Sequence, residues 1–209
     1  MDHLQALLDR YPALSGIRGG IQSAGELLIK TFESGCKLLI AGNGGSAADS
    51  EHIVGELMKN FAKKRTLPGS YVSRLEEIDP EIAQYLSPRL QPGLPAIALT
   101  GHYSLSSACI NDIDGNITFA QQVYGYGKRG DLFLGISTSG NAKNVVYAAA
   151  AARAKDMGVI ALTGASGGRL ARLADVSVIV PETETYKIQE LHLPIYHALC
   201  LMAEEYFFC

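Results

Sequence analysis

Short apolar runs that end in a turn residue recur along the chain. The first is "KLLIAG", and "PAIALTG", "DLFLGIS", "GVIALTG" and "VSVIVP" repeat the same form further on. Continuous apolar runs bounded by turn residues are typical of strands buried on both faces, as in a parallel sheet covered by helices. The pattern therefore predicts a central parallel sheet of five strands.

Apolar residues also recur at helical spacing around these runs, beginning with two predicted helices within residues 1–34. Strands that alternate with helices predict a doubly wound α/β fold, an α-β-α sandwich, organised as one domain over residues 1–209. Pro194 falls within the last predicted helix and is expected to kink or loosen it. The further helices are predicted over residues 47–61, 105–124, 142–157, 168–174 and 185–208.

Residues 63–94 depart from this regular alternation. Prolines and glycines are frequent here, and the only helical fragment is "PEIAQYL". Long connections of this kind within a compact domain are usually functional. We interpret the stretch as an insertion at the edge of the face that carries the site, either a lid or an oligomer contact. A passive surface excursion explains the pattern equally well.

Composition and charge narrow the range of partners. The formal net charge is −3, and the only basic triplet, Lys63-Lys64-Arg65, is interpreted as a solvated helix end. Nucleic-acid binding needs clustered Lys and Arg to neutralise phosphates, so a direct nucleic-acid partner is not expected.

The cysteines and the apolar runs indicate in which cellular compartment the protein is expected. The four cysteines show no CxxC spacing, which favours reduced thiols over a disulfide framework or a cysteine zinc site. No apolar run approaches the roughly 20 residues of a membrane span, and the first residues lack a signal-peptide core. A soluble cytoplasmic protein without membrane contact is therefore expected.

Two polar loops follow predicted strands, at the edge where parallel α/β sheets bind ligands. The first is "GNGGS" at residues 42–46, and the second is "STSGN" at residues 137–141. Small side chains, hydroxyls and the start of the next helix can together hold a phosphate group. The glycine loop could also be a tight turn, and Ser139 or Asn141 could cap a helix. The glycine loop fits neither a dinucleotide fingerprint nor a P-loop, which leaves a small phosphorylated ligand.

Ionisable residues follow the first loop and recur in the last predicted helix. His52 and Glu56 are four residues apart and therefore share a helix face, where they could meet one metal ion or one substrate. Gln189 and His197 are eight residues apart, about 12 Å along a regular helix, with His192 between them. That separation is awkward for one metal ion. A solvated helix face and a half-buried histidine remain alternative explanations.

Three stretches carry a family resemblance: "AGNGGSAADSEH" followed by Glu56, "GISTSGN", and "TYKIQELHLPIYH". They resemble the sugar isomerase (SIS) domain family and, within it, the sedoheptulose 7-phosphate isomerases, also called phosphoheptose isomerases. The resemblance covers nearly the whole chain except residues 63–94. It implies a flavodoxin-like doubly wound domain, a phosphorylated sugar as substrate, and a homotetramer with active sites at subunit interfaces.

The resemblance also implies roles for particular residues. Glu56 and His197 would be the proton-transfer pair of an aldose-ketose isomerisation through an enediol. One Zn²⁺ ion per site would be held by His52, Glu56, Gln189 and His197. A glutamate firmly bound to zinc is a poorer base, so the two roles of Glu56 compete. The implied substrate contacts are Asn43, Gly44, Gly45, Ser46, Glu56, Asn111, Asp112, Ser137, Thr138, Ser139 and Gln189.

The sequence departs from the family pattern in three places. Ala142 stands where the second loop usually ends in a phosphate-binding serine, Pro194 interrupts the last helix, and residues 63–94 have no counterpart in compact isomerases. Two other hypotheses therefore stay open. One is a non-catalytic sugar-phosphate-binding or DiaA-like protein-binding scaffold, and the other is an isomerase or epimerase of a different phosphosugar.

Overall fold

A five-stranded parallel sheet forms the centre of the protein. The structure, a computed structural model, describes residues 2–208. The strands lie in the order β2-β1-β3-β4-β5, and every neighbouring pair is parallel. Each strand falls within one of the predicted apolar runs, so the predicted sheet is confirmed. The strands are β1 Leu38–Ala41, β2 Ala96–Ala98, β3 Leu132–Ser137, β4 Gly158–Thr163 and β5 Val176–Ile179.

The strand order reverses direction at β1. The chain adds β2 on one side of β1 and then places β3 on the other side, where Leu38 pairs with Leu132. In open α/β sheets this reversal opens a crevice at the carboxyl ends of the two strands, where ligands bind. The loops that follow β1 and β3 are therefore neighbours, as the sequence predicted.

Helices cover both faces of the sheet because alternate strand residues point to opposite sides. Leu38, Ile40 and Leu134 face a core built with the first three helices and the last helix of the chain. Leu39 and Phe133 face a second core built with the three helices between Thr118 and Leu173. The helices are α1 His3–Arg10, α2 Arg18–Glu33, α3 Gly45–Met58, α4 Gly69–Ile78, α5 Pro80–Leu86, α6 Tyr103–Asp112, α7 Thr118–Tyr126, α8 Lys143–Ala154, α9 Gly168–Leu173 and α10 Thr185–Phe207.

The stretch 63–94 is more regular than predicted. It holds two helices, α4 and α5, and the sequence prediction missed α4. Asp79 separates them and accepts hydrogen bonds from the backbone N–H groups of Glu81 and Ile82, which caps α5. No residue of α4 is buried, and Ala83 is the buried residue of α5. This surface helix pair therefore adds little to the core.

The last helix continues through Pro194. α10 spans Thr185–Phe207 as one helix, so the expected interruption between Gln189 and His197 does not occur. A proline removes only one backbone hydrogen bond here. Pro194, Ile195 and Tyr196 are all buried, and this packing holds the helix together.

The remaining sequence expectations concern thiols and membranes. Cys36, Cys109 and Cys200 are free thiols, while Cys209 lies outside the described residues. Within residues 2–208, no helix combines the length and the apolar character needed to cross a membrane.

Candidate active site

The loops after β1 and β3 enclose a cavity of about 330 Å³ with the first turns of α10. We call it the anion cavity. All eight of the expected contacts from the two loops and from Gln189 line it, together with Thr185, Ala142 and Ile136. The full lining is Asn43, Gly44, Gly45, Ser46, Ile136, Ser137, Thr138, Ser139, Ala142, Thr185 and Gln189.

Two glycines give the first loop its shape. Gly44 has φ 55° and ψ −121°, a backbone conformation that residues with a side chain rarely adopt. A Cβ atom on Gly45 would lie 2.7 Å from the Nε2 atom of Gln189, so the missing side chain lets Gln189 approach the loop. Because α3 begins at Gly45, the positive end of its helix dipole lies beside the cavity and favours an anion there.

The first loop is tied to the start of α8, the helix that follows the second loop. Asn43 and Asn144 exchange reciprocal side-chain amide hydrogen bonds of 2.9 and 2.8 Å. The capping alternative for the second loop is wrong, because Ala142 occupies the N-cap of α8 and no side chain caps that helix. Asn141 is instead structural, since its side chain donates to the Ser139 carbonyl and accepts from the Arg169 N–H.

Thr185 is a polar cavity residue that sequence reasoning missed. It is the first residue of α10, and it joins a lining that the two loops and Gln189 were expected to supply. The available signal was its position four residues before Gln189, on the same helix face. The starts of α3, α8 and α10 thus all lie at the cavity, which favours a negatively charged occupant.

Three ionisable side chains meet further along α3 and α10, and we call them the acid–base cluster: His52, Glu56 and His197. His52 Nε2 lies 3.2 Å from Glu56 Oε1, and the His52 and His197 ring centroids are 5.0 Å apart. The Nε2 atom of His197 is buried and has no hydrogen-bond partner within residues 2–208. Glu56 is shielded as well, with 13 % of its side chain exposed.

The environment favours a neutral His197. Burial, together with the nearby charge of His52, lowers the pKa of His197 and outweighs the opposite effect of Glu56. His192, by contrast, is fully buried, and burial lowers its pKa to about 4. We therefore count His192 as a neutral core residue and not as a member of the cluster.

A second hydrogen-bonded group lies behind the cluster. The hydroxyl of Tyr196 donates to Asp49 Oδ1 at 3.2 Å and lies 3.0 Å from His52 Nδ1. Burial raises the pKa of Asp49, although the Tyr196 hydrogen bond and the His52 charge oppose it. Burial and the adjacent Asp49 also raise the pKa of the Tyr196 phenol, which therefore keeps its proton.

The ends of α3 and α10 are joined by a buried ion pair. Arg65 Nη2 lies 2.9 Å from Glu204 Oε1, and their side chains are 0 % and 1 % exposed. The same guanidinium donates to the backbone carbonyls of Glu56 and Leu57, at 3.1 and 2.7 Å. The interpretation of Lys63-Lys64-Arg65 as a solvated helix end is therefore wrong for Arg65, which holds the end of α3.

Two expected substrate contacts lie elsewhere. Asn111 and Asp112 are exposed at the end of α6 and line a separate cavity of about 620 Å³. Asn111 Nδ2 donates to Asp112 Oδ1 at 2.7 Å. The other side of α6 reaches the glycine loop, because Ile110 lines a cavity of about 240 Å³ with Gly44. Asn111 and Asp112 of this chain therefore do not line the anion cavity.

The expected zinc ligands are only partly brought together. His52 and Glu56 are adjacent and His197 is near them, and imidazole and carboxylate are donor types that zinc prefers. Within residues 2–208, however, no group of three or more His, Cys, Asp or Glu side chains is arranged to hold a metal ion. Gln189 lines the anion cavity, about 12 Å from His197 along the continuous helix.

Comparison with known proteins identifies the family. The SIS domain family matches residues 75–164. The chain is 38% identical over 188 residues to the phosphoheptose isomerase of Aneurinibacillus thermoaerophilus, covering 90% of this chain and 82% of that relative. The structure of a phosphoheptose isomerase from Francisella tularensis matches with a TM-score of 0.74 at 32% identity, over 90% of this chain and 86% of that one. The corresponding structure from Neisseria gonorrhoeae matches with a TM-score of 0.70 at 35% identity, over 88% of this chain and 86% of that one. The chain therefore belongs to the phosphoheptose isomerase family of SIS domain proteins.

Proposed function

We propose that the protein interconverts sedoheptulose 7-phosphate and D-glycero-D-manno-heptose 7-phosphate through an enediol intermediate. The observation that carries this proposal is the course of α3. The helix begins at the anion cavity and then carries His52 and Glu56 to a position beside His197. One helix thus links a place for the phosphate group to a place for proton transfer.

The proton chemistry is assigned to the acid–base cluster. Isomerisation removes a proton from the carbon beside a carbonyl group and returns it to the neighbouring carbon, which needs a base and an acid. Glu56 is the proposed base, because a carboxylate can accept that proton. His197 is the proposed acid, because a neutral imidazole with an unpaired, buried Nε2 can donate to the carbonyl oxygen.

The phosphate group is assigned to the anion cavity. The hydroxyls of the two loops supply hydrogen-bond donors, and the positive end of the α3 dipole favours the negative charge, without a cationic side chain. Gln189 adds a side-chain amide at the same cavity. The proposed contacts from the loops are Asn43, Gly44, Gly45, Ser46, Ser137, Thr138 and Ser139.

Zinc is a further part of the proposal. His52 and Glu56 would hold the ion with His197, and Gln189 is the member of the expected set that fits least, because of its distance along α10. A bound zinc ion would polarise the carbonyl oxygen of the sugar. Since no group of three ligands is arranged for a metal within residues 2–208, the site would form through side-chain adjustment.

The assembly and the location are also proposals. We propose that residues 1–209 form one SIS domain and that four copies assemble with the active sites between subunits. Asn111 and Asp112 then contact the sugar bound to a neighbouring copy, because they lie away from the anion cavity of their own subunit. The free thiols of Cys36, Cys109 and Cys200 support a cytoplasmic location.

The test is a panel of sugar phosphates followed by NMR in deuterated water, with and without added zinc. Deuterium should appear on the carbon beside the carbonyl group of sedoheptulose 7-phosphate. The variant Glu56→Gln should bind this sugar and lose at least about a hundredfold in turnover, because the amide cannot accept the proton. Full activity of Glu56→Gln would refute the base assignment. The absence of exchange with every sugar would favour the protein-binding scaffold instead.

A further inference from the structure

Four side chains lie in series at hydrogen-bond distance, from the interior to the acid–base cluster. Asp49 accepts from the Tyr196 hydroxyl at 3.2 Å, and the same hydroxyl lies 3.0 Å from His52 Nδ1. The other ring nitrogen of His52, Nε2, lies 3.2 Å from Glu56 Oε1. Tyr196 is 1 % exposed, so water does not compete for its hydroxyl.

The direction of these hydrogen bonds follows from the donors available. An ionised carboxylate can only accept, so the single proton of the Tyr196 hydroxyl goes to Asp49. The phenolic oxygen must then accept from His52, which requires a proton on Nδ1. A neutral imidazole has one N–H group, so Nε2 is left with a lone pair.

We propose that Asp49 and Tyr196 are positioning residues that hold His52 in the Nδ1-protonated tautomer, with the Nε2 lone pair turned toward Glu56. Two acceptors, Nε2 and Glu56 Oε1, then face each other across 3.2 Å. Such a pair is stabilised when a cation or a shared proton lies between the two atoms. A second partner that fixes the tautomer of a metal-binding histidine is a common arrangement in zinc sites. The inference rests on the proposed function only in taking this cation to be zinc.

The tautomer can be read directly by NMR. In protein with ¹⁵N-labelled histidine at about pH 9, where free imidazole is neutral, long-range ¹H–¹⁵N correlations distinguish the two ring nitrogens. The variant His52→Ala identifies the His52 signals among those of the five histidines. We expect a protonated Nδ1 and an unprotonated Nε2 in the metal-free protein.

Two substitutions should switch the tautomer by different routes. Tyr196→Phe removes the acceptor of the Nδ1 proton, so the proton should move to Nε2 and be donated to Glu56. Asp49→Ala leaves the Tyr196 hydroxyl free to donate to Nδ1, which again places the His52 proton on Nε2. Asp49→Asn should keep the wild-type tautomer, because its side-chain carbonyl still accepts from Tyr196. The matched control is Tyr206→Phe, since Tyr206 lies on the same helix but is exposed and bonds to Glu33.

Zinc affinity is the second readout, measured by competition with a chromophoric chelator. Tyr196→Phe and Asp49→Ala should weaken zinc binding roughly 10- to 100-fold, and Tyr206→Phe should leave it unchanged. A wild-type His52 protonated on Nε2, or a tautomer that stays the same in Tyr196→Phe and Asp49→Ala, would overturn the inference. Wild-type protein that shows the expected tautomer but binds no zinc would refute the proposed metal and leave the positioning role intact.

Discussion

Ala142 and Thr185 differ in what they offer a phosphate group in the anion cavity. Ala142 contributes only a methyl group, where the family pattern has a serine, whereas Thr185 contributes a hydroxyl from the start of α10. Thr185 lies twelve residues before His197 on α10, and Ala142 precedes α8, which carries no member of the acid–base cluster. Changes at these residues should therefore alter sugar-phosphate binding more than the chemical step.

The substitution Ala142→Ser should lower KM for sedoheptulose 7-phosphate. An added hydroxyl that reaches the phosphate contributes roughly 1 kcal/mol, which corresponds to about fivefold in KM. We expect kcat to change little, because the phosphate contact is the same in the ground state and the transition state. Steady-state kinetics measure both constants, and Ala150→Ser, at an exposed position of α8, is the control. A KM that rises would show that the cavity has no room for the serine.

The substitution Thr185→Val should raise KM roughly fivefold with kcat nearly unchanged, because it removes a hydrogen-bond donor and keeps the side-chain shape. The double variant Ala142→Ser/Thr185→Val should return KM toward the wild-type value if the two hydroxyls serve the same group. Kinetics of the four proteins form a complete cycle. A kcat that falls with KM unchanged would remove Thr185 from phosphate binding.

At the level of elements, α3 and α10 lie side by side and contact each other at three positions along their length. Gln189 approaches Gly45 at the start of α3, and Tyr196 bonds with Asp49 and His52 in the middle. At the far end, Glu204 accepts hydrogen bonds from the backbone of the segment that follows α3. The two helices thus act as one unit, which fixes where Glu56 stands relative to His197.

The ion pair at the far end of this unit makes a stability prediction. Burial alone would raise the pKa of Glu204. Hydrogen bonds from the N–H groups of Phe61 and Ala62 and from the Arg65 guanidinium together have the larger, opposite effect, so the pKa is lowered overall. Glu204→Gln should lower the free energy of unfolding at pH 7 by about 3 kcal/mol, because it leaves the Arg65 charge buried without its partner. The neighbouring control Glu205→Gln should change it by about 1 kcal/mol or less.

The same substitution predicts a pH dependence. A carboxylate with a lowered pKa in the folded state stabilises the protein above its ordinary pKa, near 4.5, and this stability is lost as the pH falls below that value. The difference in the free energy of unfolding between wild type and Glu204→Gln should therefore become steadily smaller below about pH 4.5. Chemical denaturation across this pH range measures the difference, and a constant gap would contradict the assigned pKa shift.

Helices and strands were predictable from the sequence where a buried face produces a regular pattern of apolar residues. The five apolar runs specify the strands because both faces of each strand are covered. α4 was missed because none of its residues is buried, so no core-facing stripe marks it. Arg65 was misread because its partner, Glu204, lies 139 residues further along the chain. Periodicity reports local burial, and it does not report pairing between distant charges.

For the whole molecule, the sheet topology explains why the two loops could be placed together before the structure was known. Strand order brings the ends of β1 and β3 to one crevice, and residues of both loops line the anion cavity there. Asn111 and Asp112 could not be placed by the sheet topology. They came from the family resemblance alone, and the fold of the chain does not place them at the anion cavity. A contact between subunits is the arrangement that would give them a role.

Mixing inactive variants tests this arrangement. If Asp112 contacts the sugar in a neighbouring subunit, each site takes Glu56 from one chain and Asp112 from another. Glu56→Gln and Asp112→Ala then each remove a residue from a different chain of the same site. Each variant alone should be inactive, whereas co-expressed and co-purified chains should regain about a quarter of wild-type activity, because random pairing leaves that fraction of two-subunit sites intact.

The control is a mixture of Glu56→Gln and His197→Gln. The acid–base cluster brings both residues together within one chain, so every chain in that mixture carries a damaged cluster and no activity should return. Recovery with Asp112→Ala but not with His197→Gln would establish a site shared between subunits. Failure of both mixtures would confine the site to one chain, and recovery with both would place Glu56 and His197 of a working site on different subunits.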